Sequence, residues 1–312
     1  MMTISDYRYL KEELNKNDLQ ASDTALGNLF ILCDRYKIEF QIKRNLLLRK
    51  FDYSESIRGF AYPLVIGKKT ETFLEDFLSE ITENFEKKEI ELCLFTEEQK
   101  KSFNEFLIKQ NIPYSIEWKT NPADSDYIYL QNDLIFLPGK KLQKKRNHIS
   151  QFNRHFEKSH FVYFDKNNFS QSLYNDFISV AENWITEQLV SANEKQLSDY
   201  STEKKSLKNA LDNIDVFDFS GGILYIDSKP VAITLASKIS DEVLDIHFEK
   251  CLKTAANSGG YAVINNLFVK QCGSYRYINR EEDLGIEGLR KAKLSYKPEI
   301  ILAKYYGTLI KN

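Results

Sequence analysis

Residues 279–298 read NREEDLGIEGLRKAKLSYKP, the stretch that concentrates the most chemistry in the fewest positions. Arg280, Glu281, Glu282, Asp283, Arg290, Lys291 and Lys293 surround one short helix that also carries Gly285 and Gly288. Glycine disfavours a helix position by roughly 1 kcal/mol. Two of them imply either a tight entry turn or a close approach of another backbone or a ligand. Upstream, Tyr275–Ile278 predicts a short strand; downstream, Ile300–Ala303 with Tyr305 and Tyr306 predicts another. A charged strand–turn–helix connection between apolar strands is where α/β proteins usually build sites. A solvated helix with ordinary ion pairs fits the same letters.

Outward from there, 312 residues exceed what one core usually serves, so two domains are expected. The net charge of −2 excludes a globally basic nucleic-acid binder and requires any anion site to be local. Cys33, Cys93, Cys251 and Cys272 lie far apart in apolar surroundings without a CxxC pair, which predicts buried thiols. The amino-terminal residues lack a basic stretch followed by an apolar one, and no run of 18 apolar residues occurs. Together these features predict a cytoplasmic protein.

Along the chain, short strands are predicted at 36–41, 46–51 and 58–62. A helix starting at Thr70 carries Phe73, Leu74, Phe77, Leu78, Ile81 and Phe85 at helical spacing. A strand at 90–95 follows, then a helix capped by Thr96 and a strand at 114–118. The order recurs later: strands at 221–226, 231–237 and 243–248, a helix over 260–271, a strand at 276–278, a helix over 284–293 and a strand at 299–305. The halves meet near residue 135, which gives domains at 1–134 and 135–312. This element order describes an α/β (α+β) protein of two tandem GNAT-like, acyl-CoA N-acyltransferase-like domains. In that fold a donor lies where two central strands part, beside a helix N-terminus that favours anions.

Four segments carry a likeness to a known family: 130–152, 221–237, the tetrad His247-Phe248-Glu249-Lys250, and 278–298. Together they resemble bacterial proteins related to the C-terminal domain of phosphatidylglycerol lysyltransferase. That group is similar to the Fem-type aminoacyl transferases with tandem GNAT-like domains. The resemblance implies transfer of an aminoacyl group from aminoacyl-tRNA, or an acyl group from acyl-CoA, to an amine or hydroxyl of a small molecule, peptide or lipid.

The residues themselves offer several constellations. Lys140, Lys141, Lys144, Lys145, Arg146 and Arg154 form a basic helix with no interleaved acid before Glu157. It can hold phosphates or stand as a lysine-rich solvated face. Strand alternation places Asp245, His247 and Glu249 on one face, where an imidazole or carboxylate can take the proton that an attacking amine loses. A solvent-facing edge strand is the alternative. Gly259 and Gly260 stand where a pyrophosphate loop belongs, or simply start a helix. Glu281 and Asp283 suit an ammonium group. Arg280, Arg290 and Lys293 suit a carboxylate or phosphate. Tyr296 can give a hydroxyl proton to a leaving group. No GxSxG, GxxxxGK[ST] or HExxH motif occurs, and no metal-ligand spacing is present. A non-catalytic binding protein for a phosphorylated ligand on the same fold is the competing expectation.

Overall fold

The structure, a computed structural model, describes residues 3–17, 19–83, 89–189 and 194–311. Phe85 lies outside the described residues. Fourteen strands are described: β1 (Glu39–Lys43), β2 (Leu46–Asp52), β3 (Arg58–Ala61), β4 (Leu64–Val65), β5 (Glu89–Phe95), β6 (Tyr114–Thr120) and β7 (Asp126–Leu130) in the first part. β8 (Ser159–Phe164), β9 (Ser220–Ile226), β10 (Lys229–Lys238), β11 (Val243–Cys251), β12 (Tyr277–Asn279), β13 (Ile300–Leu302) and β14 (Tyr305–Lys311) follow. They form two mixed sheets, ordered β1-β2-β3-β5-β14-β6 with β4 on β2, and β13-β7-β12-β11-β10-β9-β8.

Local chemistry explains much of this. Thr96 caps the helix Glu97–Lys109 by accepting from the Gln99 amide while the Gln99 side chain accepts from the Thr96 amide, a reciprocal capping box. The helix Phe73–Thr82 buries Phe73, Leu74, Phe77, Leu78 and Ile81 against Leu46, Leu48 and Leu92 of the first sheet. The second sheet is covered on both faces, and β11 is buried along nearly its whole length. Ile246 packs with Phe268 and Val269 of the helix Gly260–Gln271 on one side. Phe248 packs with Phe177 and Phe219 on the other.

Two strands cross between the halves. β7 precedes residue 135 yet sits between β12 and β13, while β14 closes the first sheet between β5 and β6. A boundary at 134/135 therefore does not separate the sheets. The strand expected over 299–305 is in fact two strands in different sheets, broken at Ala303–Lys304. Lys304 explains the break. It is buried, and its Nζ lies 2.8 Å from Asp126 Oδ1 and 3.1 Å from Asp23 Oδ1. A side chain that must reach two buried carboxylates leaves the pleat of either sheet. Asp23 sits in a short 3-10 turn, Ser22–Thr24, ahead of the helix Leu26–Ile31, and is bound by Arg49 and Lys304.

Candidate functional site

β11 and β12 run parallel, paired at Val243–Tyr277, Leu244–Ile278 and Asp245–Asn279. Beyond that point β11 continues to Cys251 while the other chain turns away at Arg280. Such parting exposes backbone groups and side chains of both strands at one place in the sheet. The turn is held firmly. Asn279 Oδ1 accepts from the Glu281 amide at 2.7 Å, and Glu281 adopts a left-handed backbone (φ 56°). Lys293 donates its ammonium to the carbonyls of Arg280, Glu281 and Glu282.

Side chains bridge the split on both faces. The pairing of Leu235 with Phe248 and of Ala236 with Ile246 leaves His247 as an extra residue, a β-bulge. The bulge shifts the alternation by one, so the expectation that Asp245, His247 and Glu249 share a face is corrected. Asp245 and His247 lie on one side of the sheet. Glu249 lies on the other, facing the helix Gly260–Gln271, where it accepts from Asn265 Nδ2 at 3.0 Å.

On the Glu249 side, Arg280 Nη2 donates to Glu249 Oε1 at 2.9 Å. Its guanidinium lies 4.8 Å from the Tyr296 ring centre and 5.7 Å from that of Tyr129. Lys145 covers the same Tyr296 ring at 3.8 Å. Burial, then the Arg280 charge, lowers the Lys145 ammonium to about 8, with Glu249 opposing. Burial pushes the Tyr296 hydroxyl up to about 12 against the pull of Arg280. Among the described residues, Arg280 Nη1 and Asn265 Oδ1 are buried with no hydrogen-bond partner. Two cations, a carboxylate and a phenol thus converge with polar atoms left over. That group can hold an anion, orient an ammonium and move a proton.

On the opposite side, His247 Nδ1 lies 3.0 Å from Glu281 Oε1 and 3.4 Å from Asp245 Oδ2. Its Nε2 lies 2.7 Å from Ser237 Oγ, and Asn28 Nδ2 donates to Glu281 Oε1 at 2.8 Å. Burial, then the nearby Glu281 and Asp126 carboxylates, push the Asp245 carboxyl well above its usual range.

The other expected site residues serve the frame. Asp283 is fully buried, accepting from Tyr127 Oη at 2.6 Å, Arg290 Nε at 2.7 Å and Nη2 at 2.9 Å, and the Gly285 amide at 2.8 Å. Asp283 and Arg290 are thus committed to each other, and Lys293 to backbone carbonyls. Gly285 makes the turn (φ 74°), whereas nothing approaches Gly288. A Cβ on Gly259 (φ 99°) would sit 2.8 Å from the His148 carbonyl oxygen, and one on Gly260 would meet Cys251 Sγ at 2.6 Å. Close packing accounts for both glycines. In the basic helix, here Gln143–His155, Arg146 holds the carbonyls of Leu137 and Gly139. Lys141 and Lys144 are exposed, and only Lys145 turns toward the split. Asn28, Tyr129, Ser237 and Asn265 carry no signal in the sequence. Each is an ordinary polar or aromatic residue whose role comes from a distant chain segment.

This architecture, with a parallel pair parting beside a helix in a mixed sheet, defines a GNAT-like protein with two such sheets. Residues 16–307 match the family "Phosphatidylglycerol lysyltransferase, C-terminal", and the chain belongs to that family. It is similar to a conserved protein of unknown function from Bacteroides thetaiotaomicron, at 30% identity and TM-score 0.83, covering 99% of this chain and 98% of that one. It shares its fold at 11% identity and TM-score 0.58 with the C-terminal domain (DUF2156) of a protein from Agrobacterium fabrum assigned as a lysylphosphatidylglycerol synthetase. That likeness covers 99% of this chain and 92% of the other. An uncharacterized protein from Mycoplasmoides gallisepticum is 23% identical over 189 residues, 60% of this chain and 57% of that relative's length. Among the described residues, no helix is long and apolar enough to cross a membrane.

Proposed function

We propose that the protein is an acyl or aminoacyl transferase whose reaction takes place at the parting of β11 and β12, on the Glu249 side. The observation that carries this is the Arg280–Glu249 pair spanning the split at 2.9 Å, beside Tyr296 and Lys145. An acceptor amine attacks the carbonyl carbon of a bound ester or thioester, and the leaving group departs with a proton. No covalent enzyme intermediate is required. Glu249 orients the acceptor ammonium and takes its proton. The cations Arg280 and Lys145 favour the developing oxyanion or an anionic part of the donor. Tyr296 gives a proton to the leaving oxygen or sulfur. His247, across the sheet with a side chain only 1% exposed, supports the split from behind. The family name points to lysyl transfer, for which aminoacyl-tRNA and acyl-CoA are the rival donors.

The test offers separate pools of radiolabelled aminoacyl-tRNA and acyl-CoA with amine and hydroxyl acceptors, and follows label transfer. Transfer from one pool supports the reading. Tight donor binding without transfer from either pool supports the second reading, a non-catalytic binding protein. The His148 backbone packed against Gly259, the position expected for a pyrophosphate loop, counts against acyl-CoA as the donor.

A further inference from the structure

The cluster behind the split has a different chemistry from the one in front. Asp245, His247 and Glu281 each place one ligand-type atom within 4.8 Å of the others. His247 Nδ1 lies 3.0 Å from Glu281 Oε1 and 3.4 Å from Asp245 Oδ2. For metal–ligand bonds of about 2.1 Å, adjacent ligands are about 3.0 Å apart in an octahedron and about 3.4 Å in a tetrahedron. The separations fall at those edges.

Two further observations point the same way. Asp245 is fully buried, and neither of its carboxylate oxygens has a hydrogen-bond partner among the described residues. A buried carboxylate without a donor is costly, and a cation placed among the three atoms satisfies it. Second, the outer contacts suit a liganding histidine. In the tautomer whose Nε2–H donates to Ser237 Oγ, 2.7 Å away, Nδ1 carries a lone pair directed at the two acids. Metal-bound imidazoles are commonly fixed by such a second hydrogen bond. Glu281 is likewise held by Asn28 at 2.8 Å. The surrounding charge agrees. Asp23 and Asp126 are already matched by Arg49 and Lys304, which leaves Asp245 and Glu281 without a dedicated cation.

We infer that Asp245, His247 and Glu281 form a binding site for a divalent transition metal of the zinc class. One nitrogen and two carboxylate oxygens suit zinc, with solvent completing the shell. Asn28, which holds Glu281, also lines a small cavity together with Glu282. The ligands come from β11 and from the turn after β12. The metal therefore pins the turn that carries Arg280 onto the strand that carries Glu249. Sequence spacing hides the site because Glu281 is 34 positions from His247. The site stands whether or not the front of the split transfers acyl groups.

Zinc is the probe. After dialysis against a chelator, the protein is titrated with Zn2+ by calorimetry at neutral pH, and its melting temperature is recorded with and without zinc. The expected result is one zinc per chain with a rise in melting temperature. The rise should be lost in His247→Gln and Glu281→Gln. Ser237→Ala, which touches no metal, should weaken affinity by about 10–100-fold. Cobalt(II) in place of zinc gives a visible spectrum that the ligand variants should abolish. Asp245→Asn relieves an unpartnered buried acid and so stays folded, and it should also lose zinc. Absent or superstoichiometric weak binding would overturn the inference, as would one-to-one binding unchanged in the His247 and Asp245 variants. Either result would assign the short Nδ1–Glu281 approach to a proton.

Discussion

Replacing Lys304 by Met should uncouple the two sheets. Lys304 follows β13 of one sheet and precedes β14 of the other, and its ammonium is shared by Asp126, Asp23 and Ser22 Oγ. Removing it leaves two buried carboxylates short of a counter-charge. Losing one partner of a buried pair costs about 3–5 kcal/mol. At about 2–3 °C per kcal/mol for a chain of this size, the melting temperature should fall by about 6–15 °C. The loss should also depend on pH. In the intact protein burial raises the Asp23 carboxyl, but Lys304 and Arg49 outweigh it and hold the group below its usual range. A depressed acid contributes stability above its unfolded value and loses it only as pH falls through the folded one. Asp23 therefore adds no slope between pH 5 and 8. In the variant, burial is opposed by Arg49 alone, so the folded state takes up a proton on acidification. The stability gap should then narrow from pH 8 to pH 5. Differential scanning calorimetry of both proteins at these pH values decides it. A loss under about 2 °C at pH 8, or a gap that does not change with pH, would show that Lys304 does not couple the sheets.

Three other changes have definite outcomes. Because the Lys145 ammonium is lowered to about 8, its charge disappears as pH rises through that value. Affinity for an anionic donor should drop between pH 7 and 9, and Lys145→Arg should flatten the profile, as read by fluorescence titration. Neutralising Lys140, Lys141 and Lys144 to Gln should leave stability within about 0.5 kcal/mol. If these lysines meet phosphates, the slope of log affinity against log salt should also fall by about 0.7–0.9 for each phosphate left without its cation. Gly259→Ala places a methyl 2.8 Å from the His148 carbonyl at a φ of 99°. It should destabilise by at least about 1 kcal/mol in urea melts.

Periodic and local features were legible in the sequence. The amphipathic spacing of Phe73–Ile81, the Thr96 cap and the β9–β11 series all stand as expected. What escaped depends on contacts between distant residues. An apolar run such as 299–305 gives no local sign that it splits between sheets, because the acids that draw Lys304 inward lie far away at Asp23 and Asp126. The bulge at His247 is equally silent, since it is set by the partner strand β10. That single extra residue sent Glu249 across the sheet and divided one imagined polar row into two clusters. Lys293 and Arg290 looked like ligand-binding cations, but charge alone does not tell a solvent-facing guanidinium from one committed to a buried aspartate.

If Glu249 works on a bound substrate where β11 parts from β12, a single substitution exposes its role. Glu249→Gln preserves the shape and the bond accepted from Arg280, and keeps Asn265 as a partner once its amide turns its oxygen toward the new NH2 group, while removing the proton acceptor. With the donor identified, single-turnover transfer and donor affinity are measured side by side for the two proteins. Transfer should slow by about 10²–10⁴-fold, with donor affinity within about threefold of the parent, a change of under 1 kcal/mol. Transfer at the parent rate would contradict the account.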